Sequence, residues 1–153
     1  MKKETKIRNS FVNGAISPES IAKSIASHST KKQIGGHAIF LGQVRADEIA
    51  GKQVKAIEFT AYKEMAEQKI AEIREAIFAR YDLICMHVYH SVGTVKTGEI
   101  CFFVFTSSAH RKPAQLACEE LVERFKSEVQ VWGKEILEDN SYQWKENKIE
   151  RNG

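Results

Sequence analysis

Two groups of residues in this 153-residue chain have the types and placement to do chemistry. One is Arg45, which follows directly on the apolar run Phe40-Leu-Gly-Gln-Val44. The other is Ser107-Ser-Ala-His-Arg-Lys112, set between the most apolar stretch, Cys101-Phe-Phe-Val-Phe105, and a helix begun by Pro113. A helix N-terminus presents unpaired N–H groups and the positive end of its dipole, so His110, Arg111 and Lys112 would favour an anion there. Arginine grips phosphate with a planar fork, and histidine moves protons near neutral pH. The plainer reading stands beside it: Ser107 or Ser108 caps the helix, and Arg111 and Lys112 face solvent. Lys126, one residue past the core position Phe125, reads on spacing as a partner of a helix C-terminus. Trp132-Gly-Lys-Glu135 says only that an amphipathic segment begins.

The remaining chemistry-bearing residues narrow the class. Cys85, Cys101 and Cys118 are odd in number, lack metal-type spacing and lie in apolar segments. They read as structural thiols in a reducing compartment, and no metal is expected through cysteine. His37, His87 and His90 read as satisfied structural histidines. Dispersed cations without an acidic pair or an activated thiol point to an anion-binding site rather than a hydrolase.

The elements that must hold these residues follow from composition and period. The chain is 42% apolar and 28% charged, with 23 Lys and Arg against 20 Asp and Glu. That excludes a disordered tail or a disulfide miniprotein, and a net +3 is not the broad basic field of a nucleic-acid binder. No run approaches the ~20 apolar residues of a membrane span, and Met-Lys-Lys-Glu-Thr-Lys does not open a signal peptide, so a cytoplasmic protein is expected. One domain over 1–153 is expected, with 1–8 and 145–153 peripheral or frayed. Ser17-Pro18 starts a helix that ends near His28. Gly35-Gly36 opens a buried strand over His37–Val44, and 45–53 reads as a mobile polar loop. A strand is expected over Val54–Tyr62, then a helix over 63–80 with Ala66, Ile70, Ile73 and Ile77 inward. Leu83–His90 and Glu99–Thr106 read as strands joined by a turn carrying Gly93 and Gly98. The Pro113 helix buries Ala114, Ala117, Cys118, Leu121, Val122 and Phe125, and Val131–Trp144 supplies short strands. The class is α+β: a mixed or antiparallel sheet with packed helices.

Taken together and in order, Phe40-Leu-Gly-Gln-Val-Arg45, Glu58-Phe-Thr-Ala-Tyr62, His90-Ser-Val-Gly93, Gly98-Glu99, Ser108-Ala-His-Arg111, Lys126 and Trp132-Gly-Lys-Glu135 resemble the catalytic, large subunit of molybdopterin synthase. The resemblance runs from about Gly35 to Trp144. It implies an α/β hammerhead fold with a small extra sheet, and a homodimer. Each large subunit would take up the C-terminal Gly-Gly tail of a small ubiquitin-like sulfur carrier, making a heterotetramer. The tail's thiocarboxylate would pass sulfur to cyclic pyranopterin monophosphate, forming the dithiolene of molybdopterin with no metal or cofactor, no nucleic acid and no membrane. Phe40, Gln43, Val44 and Arg45 match the family's first substrate segment, His110 and Arg111 its anion pocket, and Lys126 the lysine beside the thiocarboxylate. Glu135 matches the family's glutamate.

The resemblance breaks at Gly133, where the family carries a second lysine. Lys134, one place on, is expected to supply that charge, with a local bulge at the glycine re-aiming it. A non-catalytic module that binds the carrier, or a small anionic ligand, is the other reading.

Overall fold

The computed structural model describes residues 9–145. Eight strands and three helices follow one another as β1 (Phe11–Asn13), α1 (Pro18–Ser27), β2 (Gly36–Gln43), β3 (Glu48–Ile49), β4 (Lys52–Ala61), α2 (Lys63–Arg80), β5 (Cys85–Lys96), β6 (Ile100–Ser108), α3 (Arg111–Glu128), β7 (Val131–Leu137) and β8 (Tyr142–Trp144). The α+β expectation holds.

Local chemistry starts each helix. Ser17 caps α1 by accepting from the Ser20 N–H at 3.1 Å, and Pro18 needs no partner in the first turn. In α2 the buried residues are Ala66, Ile70, Ile73 and Ile77; in α3 they are Ala114, Ala117, Cys118, Leu121, Val122 and Phe125. Both stripes are those the 3.6-residue period requires. Fully burying a side chain of Leu or Ile size stabilises by ~1.5–3 kcal/mol, which seats each helix on the sheet.

The strand order is β2-β6-β5-β4-β7-β8, antiparallel along the path, with β1 parallel to β5 and β3 on β4. The smaller sheet expected beside the main one is continuous with it through β5. That strand pairs β6 over Cys85–His90 and β4 over Gly93–Lys96. Alternation along β6 divides the core. Phe102 and Val104 join the large cluster under α2 and α3, whereas Phe103 and Phe105 meet Ile16 and Ile21 on the α1 side.

Three expectations change. The run 37–44 is not a buried strand: β2 ends the sheet, bonded to β6 alone, and leaves Ile39, Phe40 and Leu41 36–42% exposed. An apolar run reports two apolar faces but not whether anything covers them. The polar loop 45–53 instead contains a hairpin, β3 to β4, turning at Ala50-Gly51 with both φ positive. Gly93 lies inside β5 at φ +84°, where the strand changes partners, and the turn before β6 is made at Gly98.

Candidate functional site

A pocket of about 120 Å³ opens where the end of α3 meets β4, β5 and β7. One wall is Gly42-Gln43-Val44, running off β2. Val44 is fixed on both sides, its N–H donating to Glu99 O at 3.0 Å and its carbonyl accepting from Gly98 N–H at 2.9 Å. The floor is aromatic and apolar: Ile57, Phe59, Phe102 and Phe125. Lys126 comes from the last turn of α3, and Gly133 and Lys145 close the far side.

Lys126 keeps solvent contact, yet the protein crowded around the pocket desolvates its ammonium, which lies 5.9 Å from the centre of the Phe102 ring. Desolvation lowers its pKa from the ordinary lysine value. The nearby charges of Lys145 and, more weakly, Arg45 push the same way, against Cys101 and Glu123. His90 is packed in the floor, stacked on Phe125 at 5.5 Å and edge-on to Phe59 at 4.9 Å. Burial lowers its pKa to about 4, opposed by its bond to Ser91 and helped by Lys126 and Lys145. A carbonyl only accepts, so the 2.8 Å contact from Nδ1 to Ser91 O places the proton on Nδ1 of a neutral ring. The Cys101 thiol donates to Gly42 O at 3.6 Å, and burial raises its pKa, so it is not an activated nucleophile. The pocket can therefore hold an anionic group against lysine ammonium while excluding water with aromatic walls.

The structure gathers part of the residue set read from the sequence. Gln43, Val44, Lys126 and Gly133 line the pocket. Arg45 lies just outside, exposed and paired with Asp47 at 3.3 Å. Phe40 stands on the open β2 edge, its ring 5.9 Å from that of Phe102, and lines a second groove with Ile39 and the α3 residues Gln115, Cys118 and Val122. His110 and Arg111 belong to the other end of α3. Fifteen residues separate Arg111 from Lys126, about 22 Å along a helix. His110 occupies the N-cap position with no side-chain cap bond; Ser108 does the capping, its Oγ accepting from Ala114 N–H at 3.1 Å. Ser107 bonds His37 Nδ1 instead, at 2.7 Å. The start of β2 must press close here, since a Cβ on Gly36 would sit 3.0 Å from the Arg111 Cα.

Lys134 is not where the sequence reading put it. It lies 3.6 Å from Glu58 and over the Tyr142 and Trp144 rings, outside the pocket. The expected bulge is absent: β7 keeps regular register through Phe59↔Gly133, Glu58↔Lys134 and Ile57↔Glu135, so successive side chains alternate faces. Glu135 is buried but does not line the pocket; it accepts from Gln143 Nε2 at 3.4 Å. Lys145, assigned to a frayed tail, was missed, as were His90 and Cys101 as lining residues. No local signal marks Lys145, because strand pairing puts it there.

One further cluster forms on the α1 side, where ligating atoms of His28, Cys85 and His87 lie within 4.8 Å of one another. Sequence spacing could not show this convergence. His28 Nε2 is 3.0 Å from His87 Nε2 and its Nδ1 is 2.6 Å from Ser24 O, while the Lys31 ammonium donates to Cys85 Sγ at 2.9 Å. The cluster is held by its own hydrogen bonds, with a cation already on the sulfur.

Comparison with known proteins places the geometry. A family model described as MoaE protein matches residues 12–128. A molybdopterin synthase catalytic subunit from Pyrococcus abyssi is 34% identical over 118 residues, 77% of this chain and 76% of that one. The Aspergillus fumigatus protein of the same name is 30% identical over 79% of this chain but 64% of its own length. Among solved structures, molybdopterin synthase from Staphylococcus aureus superposes with a TM-score of 0.77 at 30% identity, covering 90% of this chain and 96% of that one. The complex of subunits 1 and 2 of the molybdopterin-converting factor from Helicobacter pylori shares the fold, with a TM-score of 0.75 at 20% identity over 92% of this chain and 90% of that one.

Proposed function

The chain belongs to the MoaE protein family, and from that premise we propose that it is the catalytic subunit of a molybdopterin synthase. It takes sulfur from the C-terminal thiocarboxylate of a small ubiquitin-like carrier and delivers it to cyclic pyranopterin monophosphate in molybdenum cofactor biosynthesis. The observation that carries the reading is Lys126: an ammonium desolvated in an aromatic pocket whose walls at Gly42 and Gly133 have no side chains. Any side chain at these positions would press on Phe102 or Ile57, so only glycine keeps the walls low. That suits a slender chain end such as Gly-Gly, whose anionic terminus the ammonium holds.

The chemistry follows from that placement. The thiocarboxylate sulfur attacks a side-chain carbon of the pterin and displaces an oxygen substituent, which leaves with a proton as the C–O bond breaks. Carrier and substrate are thereby linked as a thioester, and a second carrier repeats the exchange at the neighbouring carbon. Water then adds to the acyl carbon, the carbon–sulfur bond breaks, and the carrier leaves as a carboxylate with the sulfur retained on the pterin. Lys126, its proton loosened by desolvation, gives and takes protons in these steps and stabilises the oxyanion of the addition. Neutral His90 and the aromatic floor keep bulk water from the thioester.

The substrate's cyclic phosphate needs its own cations. With His110 and Arg111 about 22 Å from Lys126 on one helix, a pterin cannot touch both ends of α3. The site is therefore composite: Lys126 and Arg45 of one protomer face His110 and Arg111 of a second copy. The open β2 edge, with Ile39, Phe40 and Leu41 exposed, supports such a homodimer. Two carriers on the dimer make the heterotetramer. Cys85, Cys101 and Cys118 are free thiols, which suits a reducing cytoplasm, and no helix among the described residues is long and apolar enough to cross a membrane.

The test is reconstitution. Purified protein, thiocarboxylated carrier and precursor should yield molybdopterin, and Lys126→Ala should bind carrier without yielding it. Carrier binding with no product from the unaltered protein would make the chain a binding module instead.

A further inference from the structure

We propose that Lys145 is the second cationic group of the thiocarboxylate pocket, reaching it from the end of β8 beside Gly133. This rests on the reading of the pocket given above. It does not depend on any lysine within β7.

Strand geometry carries the assignment. β7 and β8 are antiparallel, with Lys134 opposite Trp144. The next residue, Lys145, therefore comes beside Gly133, and its N–H donates to the Gly133 carbonyl at 2.8 Å. Side chains alternate along paired strands, so Lys134 and Trp144 share one face and Gly133 and Lys145 the other. The first face is complete without the pocket, since Lys134 lies over Tyr142 and Trp144 and pairs with Glu58. The second face is the pocket, which both Gly133 and Lys145 line.

Gly133 is tightly enclosed from below. A Cβ there would meet Ile57 Cγ2 at 3.1 Å and Phe59 Cε1 at 3.5 Å, so a long side chain from residue 133 would have to displace both. A glycine keeps that wall low, and a lysine entering from the neighbouring strand passes over it. The charge reaches the pocket without disturbing Ile57 or Phe59.

Two ammonium groups in one pocket divide the labour. The titratable and charged groups facing Lys126 are Glu123 on its own helix, Cys101 of β6, Arg45 after β2 and Lys145 after β8. Lys126 and Lys145 in turn face His90 of β5. Desolvation acts first on Lys126, and Lys145 is the largest of the charges that push its pKa down. Lys145 faces the anionic thiocarboxylate from the β8 side, while Lys126, its pKa lowered first by desolvation and next by Lys145, serves proton transfer.

The experiment compares Lys145→Ala, Lys145→Arg and Lys134→Ala in full-length protein that binds carrier. One readout is single-turnover sulfur transfer across pH; the other is the Lys126 pKa by NMR of the labelled side chain, which needs no activity. Lys145→Ala should slow transfer by about 10²-fold, the usual effect of losing one oxyanion-stabilising donor. The Lys126 pKa, and the limb of the rate profile that follows it, should rise. Lys145→Arg should keep both near wild type, and Lys134→Ala should change neither. An unchanged rate and an unchanged Lys126 pKa in Lys145→Ala, with Lys126→Ala inactive, would reduce Lys145 to a surface lysine while leaving the pocket's function standing. Full activity in Lys126→Ala would overturn the pocket's function and this proposal with it.

Discussion

The two ends of α3 carry cationic residues in opposite settings. At its start, His110 and Arg111 are exposed around an N-terminus that Ser108 already caps. At its end, Lys126 is set among Phe102, Phe125 and His90, where desolvation lowers its pKa. The same charge type does different work in each. Exposed cations at a helix N-terminus suit capture of a phosphate that remains charged throughout. A desolvated ammonium suits a step in which a proton must move. In the proposed function, one helix supplies a grip and a proton donor that cannot serve one small substrate within one chain.

The sharpest way to break this contrast is to remove each end in turn. Lys126→Ala should cut sulfur transfer by about 10²–10⁴-fold, the usual weight of general acid–base catalysis. Its stability should stay within ~0.5 kcal/mol of wild type, as for most surface changes. Rapid-quench kinetics and denaturant unfolding measure the two separately.

At the other end, His110→Ala or Arg111→Ala should lower kcat/KM for the pterin by about 10- to 100-fold, matching the ~1.5–3 kcal/mol of a charged hydrogen bond. Carrier affinity should hold. If the site spans two protomers, mixing inactive Lys126→Ala with the weakened His110→Ala should give more activity than the His110→Ala protein alone, through mixed dimers. No recovery after demonstrated subunit exchange would mean each site is built within one chain.

A smaller effect appears in stability against pH. His90 has a pKa of about 4 in the folded protein, below the ordinary histidine value of 6.5. Between those values the unfolded chain binds the proton and the folded one does not, so folding stability must fall as pH drops from 6.5 towards 4. The loss is on the order of 3 kcal/mol if the whole shift is realised. Urea unfolding at pH 7 and pH 4.5 should show the loss, and His90→Phe, which preserves the stack on Phe125, should remove its share of the pH dependence. The smallest effect is expected for Lys134→Ala. Its half-buried ion pair with Glu58, at 3.6 Å, is worth ~0–1 kcal/mol, and activity should be unchanged.

Legibility in the sequence followed the range of the interactions. The stripes of α2 and α3 and the Ser17-Pro18 start were readable because local period and capping chemistry fix them. Gln43, Val44 and Lys126, expected together from the motifs around them, line one pocket. What stayed hidden depends on pairing between distant strands. That β2 is an edge is decided by the sheet order, and Gly93 sits mid-strand because β5 changes partners there. Lys134 was favoured by adjacency to Gly133, but an unbroken β7 ladder turns neighbours to opposite faces. Lys145, twelve residues further on, is brought to the glycine by a hydrogen bond between strands.

Sulfur transfer from a carrier tail to a pterin in the Lys126 pocket is the proposal on which the other roles depend. A single turnover with two equivalents of thiocarboxylated carrier per cyclic pyranopterin monophosphate, following dithiolene product and carrier mass together, tests it. The account predicts dithiolene formation with conversion of the carrier terminus from thiocarboxylate to carboxylate, both abolished by Lys126→Ala while carrier still binds. Transfer at the wild-type rate in Lys126→Ala, or a bound carrier whose thiocarboxylate survives beside the substrate in the unaltered protein, would contradict it.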